Sequence, residues 1–452
     1  MSQPNSDTVI ENGSTLRRRS CGSNSNFYSL LPHLLQCFLI MFVTGMNDAN
    51  LGIIIPTLKE RYGLTQYVVS IVFLTTTFGY FLAAFINGYL IQKTSQATTA
   101  LIGALAMVIG FLVIAVSVPF PIMCCMTAFL GFGTALTQSC ANVVCGEMPH
   151  STMLLNYSHA LYACGALIAP LIAAAVLQLE RSWTITYMIL CGMGAFNAVT
   201  LFFTFRNLST RAEQQEKQKE QHQKTSSNAL ITAAIRQRIT YVGAFFLLLY
   251  VGAEVTLGNW GYTYLISVRS GDTVAMAHIM SGYWAGICAG RLFLGYLTFK
   301  LGEKRMVFLY LCLILAMLFV FWFVDAVAAS AAALAIIGVA LGPLYPSTVG
   351  LANKVIPTHL YAVSVGFLSA FGSCGSALGP LITGVMIGAK GVRVLVPFCV
   401  AMLGAMIVAW IFMPSSASSS DKDQASGNPP ASNESSIIGI DSYRMDTRSS
   451  IV

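Results

Sequence analysis

Cys164-Gly165-Ala166-Leu167-Ile168-Ala169-Pro170-Leu171-Ile172 is answered 210 positions later by Cys374-Gly375-Ser376-Ala377-Leu378-Gly379-Pro380-Leu381-Ile382. Gly88-Tyr89-Leu90 with Lys93 returns 207 positions on as Gly295-Tyr296-Leu297 with Lys300. Ala141-Asn142 returns 211 positions on as Ala352-Asn353. Gly and Leu are common in this chain, but chance matches would not keep one order and nearly one offset. The chain reads as two copies of one unit, and both copies lie inside long apolar runs.

The apolar runs decide the solvent. Of 452 residues, 56% are hydrophobic and 10% are charged, and the mean hydropathy is +0.69. A soluble domain carries about a quarter charged residues, so a bilayer must solvate this chain. A helix needs about 20 apolar residues to cross the hydrocarbon. Twelve segments qualify, at roughly 31–56, 66–92, 97–118, 121–146, 153–179, 184–205, 239–267, 274–299, 305–325, 328–351, 360–388 and 394–413. Each must be a helix, because an open strand would leave backbone groups unpaired in lipid. The predicted fold class is all-α integral membrane, with 12 transmembrane helices in two pseudo-symmetric six-helix bundles. The expected order is a disordered tail at 1–28, a first bundle at 29–205, a polar linker at 206–237, a second bundle at 238–414 and a disordered tail at 415–452. Residues 1–28 have no apolar core followed by a small-residue cleavage site, so they do not read as a signal peptide.

Net charge of +7 suggests a nucleic-acid partner until its distribution is examined. With the N-terminus placed in the cytoplasm, eighteen Lys and Arg fall on the inner side, six on the outer side, and Arg291 alone within the membrane. That bias predicts cytoplasmic termini, and the basic loops then meet anionic headgroups rather than nucleic acid. The plasma membrane is expected rather than the vacuole or another organelle. Eleven of the twelve cysteines lie in apolar segments, where a thiol is a small packing group. No metal-ligand spacing, phosphate-binding loop or nucleophile–base arrangement occurs. No cofactor, no metal, no ATP-driven step and no enzyme activity are therefore expected. The expected partners are a small-molecule substrate, protons and the bilayer, with the chain working as a monomer.

The informative residues are those that are costly to bury. Asp48 lies mid-way along helix 1, Glu254 mid-way along helix 7 and Arg291 in helix 8. A charge at the bilayer centre costs about 3 kcal/mol, so such groups face a cavity or a partner. Asp48 and Glu254 occupy corresponding helices of the two halves and are the candidate proton-coupling residues. A structural anchor ahead of Pro56 is the alternative for Asp48. An ion pair with Arg291 is the alternative for Glu254, and Arg291 is read as a structural or gating charge. Amides and aromatics gather on the same elements: Asn47 on helix 1, Gln138 and Asn142 on helix 4, and His159 and Tyr162 on helix 5. Asn259 and Trp260 on helix 7, Trp284 on helix 8, Tyr345 on helix 10 and Asn353 past its end complete the substrate-binding candidates. Such a set suits a ring of hydroxyls, although aromatics in membrane helices also serve packing and interface belts. Lys300, Lys304 and Arg305 form a basic loop after helix 8, readable as a gate or as positive-inside anchoring.

Two six-helix halves, a charged linker and Gly295…Lys300-x-Gly302-x-Lys304-Arg305 resemble the major facilitator superfamily. Within it the chain resembles the fucose-permease-like branch with its fungal members. That likeness rests on Gly45-Met46-Asn47-Asp48, Tyr80-Phe81, Tyr250-Val251-Gly252-Ala253-Glu254, Gly290-Arg291 and Tyr345-Pro346-Ser347-Thr348. The resemblance implies alternating access, with Asp48 matching an acid of proton-coupled sugar uptake. It departs at helix 4, where Gln138 replaces an acid, at Tyr162, which replaces an Asn, and at Glu254, where bacterial sugar permeases carry Gln. The expected function is a proton-coupled secondary transporter of a small polar solute, a sugar above all. The rivals are drug or metabolite efflux and a non-transporting nutrient sensor.

Overall fold

The structure, a computed structural model, describes residues 25–148, 151–206, 227–269 and 272–414. Most of the two tails and of the linker expected at 206–237 lie outside these residues. Helix α1 spans Ser25–Tyr62, α2 Ile71–Lys93, α3 Gln96–Ala115, α4 Phe120–Glu147, α5 Ser151–Gln178 and α6 Thr184–Phe205. In the second half α7 spans Arg238–Val268, α9 Glu303–Phe323, α11 Thr358–Lys390 and α12 Leu395–Phe412. Two passes are broken. α8 comprises Thr273–Ala289, a π-helical turn at Gly290–Leu294 and Gly295–Leu301. α10 comprises Val327–Leu341 and Leu344–Val355, parted at Gly342-Pro343. A short turn, Gln66–Val69, leads into α2, and a short helix, Ser227–Arg236, precedes α7.

Eleven described helical spans are long and apolar enough to cross a bilayer. α8, cut by its π turn, is the twelfth pass. α1 runs without interruption through Pro56, so the proline does not end the helix that carries Asp48. The surface confirms which solvent is present: Phe85 is 84% and Phe293 72% exposed. Only lipid tails solvate such side chains without cost. Local signals close the helices. Ser95 accepts from the Thr98 N–H at 3.0 Å to start α3, and Asp272 accepts from the Ala275 N–H at 3.0 Å to start α8. Gly302, with φ of 97°, turns the chain between α8 and α9 in a conformation that other residues resist.

The repeat in the sequence is a repeat in packing. In the first half α1 packs on α5, α2 on α4, α3 on α4, and α3 on α6. In the second half α7 packs on α11, α8 on α10, α9 on α10, and α9 on α12, the same pattern with each number raised by six. The two Cys-Gly motifs explain themselves here. A Cβ on Gly165 of α5 would sit 2.0 Å from the Phe42 carbonyl oxygen of α1. A Cβ on Gly375 of α11 would sit 2.1 Å from the Leu248 carbonyl oxygen of α7. Each glycine lets two helices meet backbone to backbone. Asp48 and Glu254 each lie six residues beyond the carbonyl touched, so the two acids are equivalent positions of the repeat.

The halves meet through α1 with α7, α2 with α11 and α5 with α8. The α2–α11 contact is made on the face opposite the one where the described chain begins and ends. There a Cβ on Gly384 would lie 1.8 Å from the Ser70 Oγ, and one on Gly388 2.8 Å from the Tyr67 ring. Trp260 of α7 lies 5.9 Å from the Phe73 ring of α2 and donates to the Pro380 carbonyl of α11 at 2.8 Å. On the terminus face no comparable pairing joins α4 to α10 or α11 among the described residues. The halves are closed on the far face and parted between those helices on the other.

Candidate functional site

Asp48 is half-buried on α1 and is held by neutral donors. The Tyr162 hydroxyl of α5 donates to its Oδ2 at 2.8 Å, and the Asn47 Nδ2 donates to its Oδ1 at 3.0 Å. A bond to an ionised acceptor is worth about 1.5–3 kcal/mol, so these donors stabilise the carboxylate without neutralising it. No ion pair to Asp48 exists among the described residues. A carboxylate with this surrounding can take up a proton and give it back without breaking a salt bridge.

Glu254, its repeat counterpart, is placed differently. The Arg291 Nη2 donates to the Glu254 Oε1 at 2.9 Å, with the two side chains 7% and 5% exposed. This is the ion pair anticipated from the sequence. Tyr283 donates its hydroxyl to the backbone carbonyl of Glu254 itself at 2.9 Å, tying α8 to α7 at the residue that carries the acid. Arg291 lies in the π turn of α8. Its Nη1 crosses to the first half and donates to the His159 carbonyl at 2.9 Å. Its guanidinium carbon stands 6.0 Å from the centroid of the Tyr162 ring. Two acids from two halves are thereby joined through one tyrosine and one arginine.

The other expected residues separate into groups. Trp284 meets the Tyr162 ring edge-on at 6.4 Å, and the His159 ring lies 5.8 Å from the Tyr345 ring. The Tyr345 hydroxyl pairs with the Ser369 Oγ at 3.1 Å. These residues stand with the acids at the junction of the halves. Gln138 and Asn142 are half-buried one turn apart on α4, and the Asn142 Oδ1 is buried without a hydrogen-bond partner. Asn259 turns its Nδ2 onto the Val255 carbonyl of its own helix at 3.0 Å. Trp260 belongs to the far-face closure already described. Asn353 lies in the second segment of α10, and its side chain is outside the described set. Sequence reasoning did not find Tyr283, Ser369 or the π turn. It had no means of finding the His159 carbonyl, because a backbone acceptor leaves no mark on residue type.

The basic loop is committed within its own half. Lys304 donates to the Trp410 carbonyl at 2.8 Å, to the Ile411 carbonyl at 3.3 Å and to the Met413 carbonyl. It caps the carboxyl end of α12, where the unpaired carbonyls and the helix dipole favour a cation. Glu303 and Lys354 form an ion pair between α9 and α10, while Lys300 and Arg305 are exposed. Lys304→Ala is expected to lower the thermal stability of the detergent-solubilised protein by about 1–2 kcal/mol. An unchanged melting curve would dispose of the cap.

A family profile described as the Major Facilitator Superfamily matches residues 37–367. The Saccharomyces cerevisiae protein "Bypass of stop codon protein 6" is 26% identical over 409 residues, covering 84% of this chain and 82% of that protein. The Bacillus subtilis glucose/mannose transporter GlcP is 21% identical over 350 residues, covering 76% of this chain and 86% of that protein. The crystal structure of the Escherichia coli fucose:proton symporter FucP superposes with a TM-score of 0.61 at 17% identity, covering 86% of this chain and 99% of that one. At that identity the superposition speaks for the fold.

Proposed function

The chain belongs to the Major Facilitator Superfamily, and from that premise we propose that it carries a small, uncharged, polyhydroxylated solute by alternating access, coupled to a proton on Asp48. A monosaccharide is the favoured substrate. The observation that carries this reading is the setting of Asp48: an acid in the middle of a membrane helix, bound by a tyrosine and an asparagine and, among the described residues, by no cation. A titrating role suits such a group, since an intramembrane acid left without a cation must face a cavity or find neutral donors, and there it can gain and lose a proton. The Glu254–Arg291 pair leaves the second half's acid neutralised, so the site offers no surplus positive charge to an anionic solute. Rings at the junction, Trp284, Tyr162, Tyr345 and His159, supply apolar faces beside hydrogen-bonding edges, the surface a sugar ring presents in complement. The names of GlcP and FucP point to the same substrate class.

The deciding experiment is counterflow of radiolabelled hexoses in liposomes containing the purified protein, with and without a pH gradient. At least one hexose is expected to exchange, and to accumulate when the gradient is imposed. No exchange with any hexose would overturn the substrate class, and a sensor that does not transport would give the same blank for every solute.

Both halves lie in one chain, so a monomer suffices for the rocking motion. We place the termini in the cytoplasm and the protein in the plasma membrane. The loop at Gly302 then faces the cytoplasm. In the Gly302→Cys variant a membrane-impermeant maleimide is expected to modify residue 302 in inside-out vesicles and not in intact cells, read by peptide mapping. Modification in intact cells would reverse the orientation.

A further inference from the structure

The π turn at Gly290–Leu294 adds one residue to a turn of α8 and so changes the direction in which Arg291 leaves the helix. The turn is gripped from both sides. α10 presses on it so closely that a Cβ on Gly342 would lie 2.7 Å from the Arg291 backbone nitrogen. α5, from the other half, packs against the turn directly. The guanidinium is thus presented on a rigid base at the plane where the halves meet.

Its planar fork serves two acceptors at once. Nη2 goes to Glu254 in its own half, and Nη1 goes to the His159 carbonyl in the other half. The second acceptor is backbone, so no side chain at position 159 is required for it. A motion that carries the His159 carbonyl out of reach of the guanidinium breaks this bond and leaves a charged donor short of a partner in a buried interface, which is unfavourable. We propose that Arg291 is the positioning residue that latches the two halves in the far-face-closed state, through the His159 carbonyl, and that its release is required for the far face to open. This rests on the transport reading for its purpose but not for its measurement.

The molecule supplies a reporter beside the latch. Cys164 of α5 and Cys288 of α8 place their sulfurs 3.2 Å apart across the same interface, three residues from Arg291 and five from His159. Oxidation by copper–phenanthroline, which accepts the two electrons, would join them as a disulfide. With a protease site inserted in the 207–226 linker, the cross-link holds the cleaved halves together on a non-reducing gel. In wild type, cross-linking is expected to be fast, and Cys164→Ser should abolish it. Arg291→Lys keeps a cation for Glu254 but lacks the planar fork. It is expected to slow cross-linking several-fold and to raise maleimide labelling of Ser70→Cys, which the far-face closure otherwise hides. His159→Phe retains the carbonyl and a ring against Tyr345, and is expected to cross-link and to label at wild-type rates whatever it does to solute binding.

Wild-type cross-linking and labelling in Arg291→Lys would overturn the latch, as would a His159→Phe effect as large as that of Arg291→Lys. All readings are made on the monodisperse fraction. If Arg291→Lys gives none, Arg291→Gln combined with Glu254→Gln leaves no stranded charge, and the same shifts are expected. Counterflow in parallel liposomes separates the two ideas: shifted cross-linking without counterflow in wild type sinks the transport reading alone.

Discussion

Liposomes carrying Asp48→Asn are expected to exchange labelled solute at a rate near that of wild type and to accumulate none of it under a pH gradient. The amide has the shape of the carboxylate. Its oxygen can still accept from the Tyr162 hydroxyl, which lies 2.8 Å from the Asp48 Oδ2, so α1 and α5 remain joined. It cannot bind and release a proton, and the cycle loses its link to the gradient. The accumulation ratio should therefore fall to one while counterflow persists. Uphill accumulation at the wild-type level would remove Asp48 from the coupling. Loss of both activities in a folded protein would instead make the carboxylate part of solute binding.

A second large effect is expected where no charge is involved. Gly375→Val should leave almost no monodisperse protein after solubilisation, whereas Gly295→Val should behave as wild type. A Cβ at position 375 would meet the Leu248 carbonyl oxygen at 2.1 Å, its carbon at 2.9 Å and its Cα at 3.0 Å. No side chain can rotate out of the way, because every obstacle is backbone. α7 and α11 would have to part by about 1 Å or more along their contact. Overpacking costs about 1–3 kcal/mol where side chains can yield, and here the cost is greater, against a total stability of about 5–15 kcal/mol. Around Gly295 nothing lies within 4 Å. Size-exclusion profiles of the two variants check the contrast, and equal profiles would refute it.

These two glycines show where reading the sequence succeeds and where it stops. Gly375 and Gly295 both belong to repeated motifs and look equally significant in the chain. Repetition marks equivalent positions in the two halves, but whether a position is pressed against a neighbour depends on how each helix is rotated. The number of passes, the two-fold architecture and the placement of Asp48, Glu254 and Arg291 at costly depths were legible, because composition and charge report directly on lipid and water. Partners were legible only where the options were few. Arg291 is the sole Lys or Arg that the charge count leaves within the membrane, so its pairing with Glu254 could be anticipated. Tyr162 was one polar aromatic among many, and its bond to Asp48 had no counterpart in spacing. Trp260 and Trp284 read alike in the sequence, both as substrate-binding candidates. The structure puts one in the far-face closure and the other against Tyr162, because they lie on different helices with different rotations. The π turn was invisible, since apolar periodicity does not distinguish one such turn within a membrane helix, and its packing against α5 and α10 is a tertiary feature.

The position of Trp260 has a spectroscopic consequence. The chain has five tryptophans. Trp260 and Trp284 touch the opposite half, through Phe73 and Tyr162 respectively, while Trp410 is held within the second half by the Lys304 carbonyl at 3.0 Å. When the far face opens, water reaches the Trp260 indole, which is fully buried in the closed form. Its emission should move to longer wavelength while Trp410 stays constant. With Trp284→Phe as background and Trp260→Phe as the blank, solute- or proton-driven opening could be followed in real time from native fluorescence, with no attached dye.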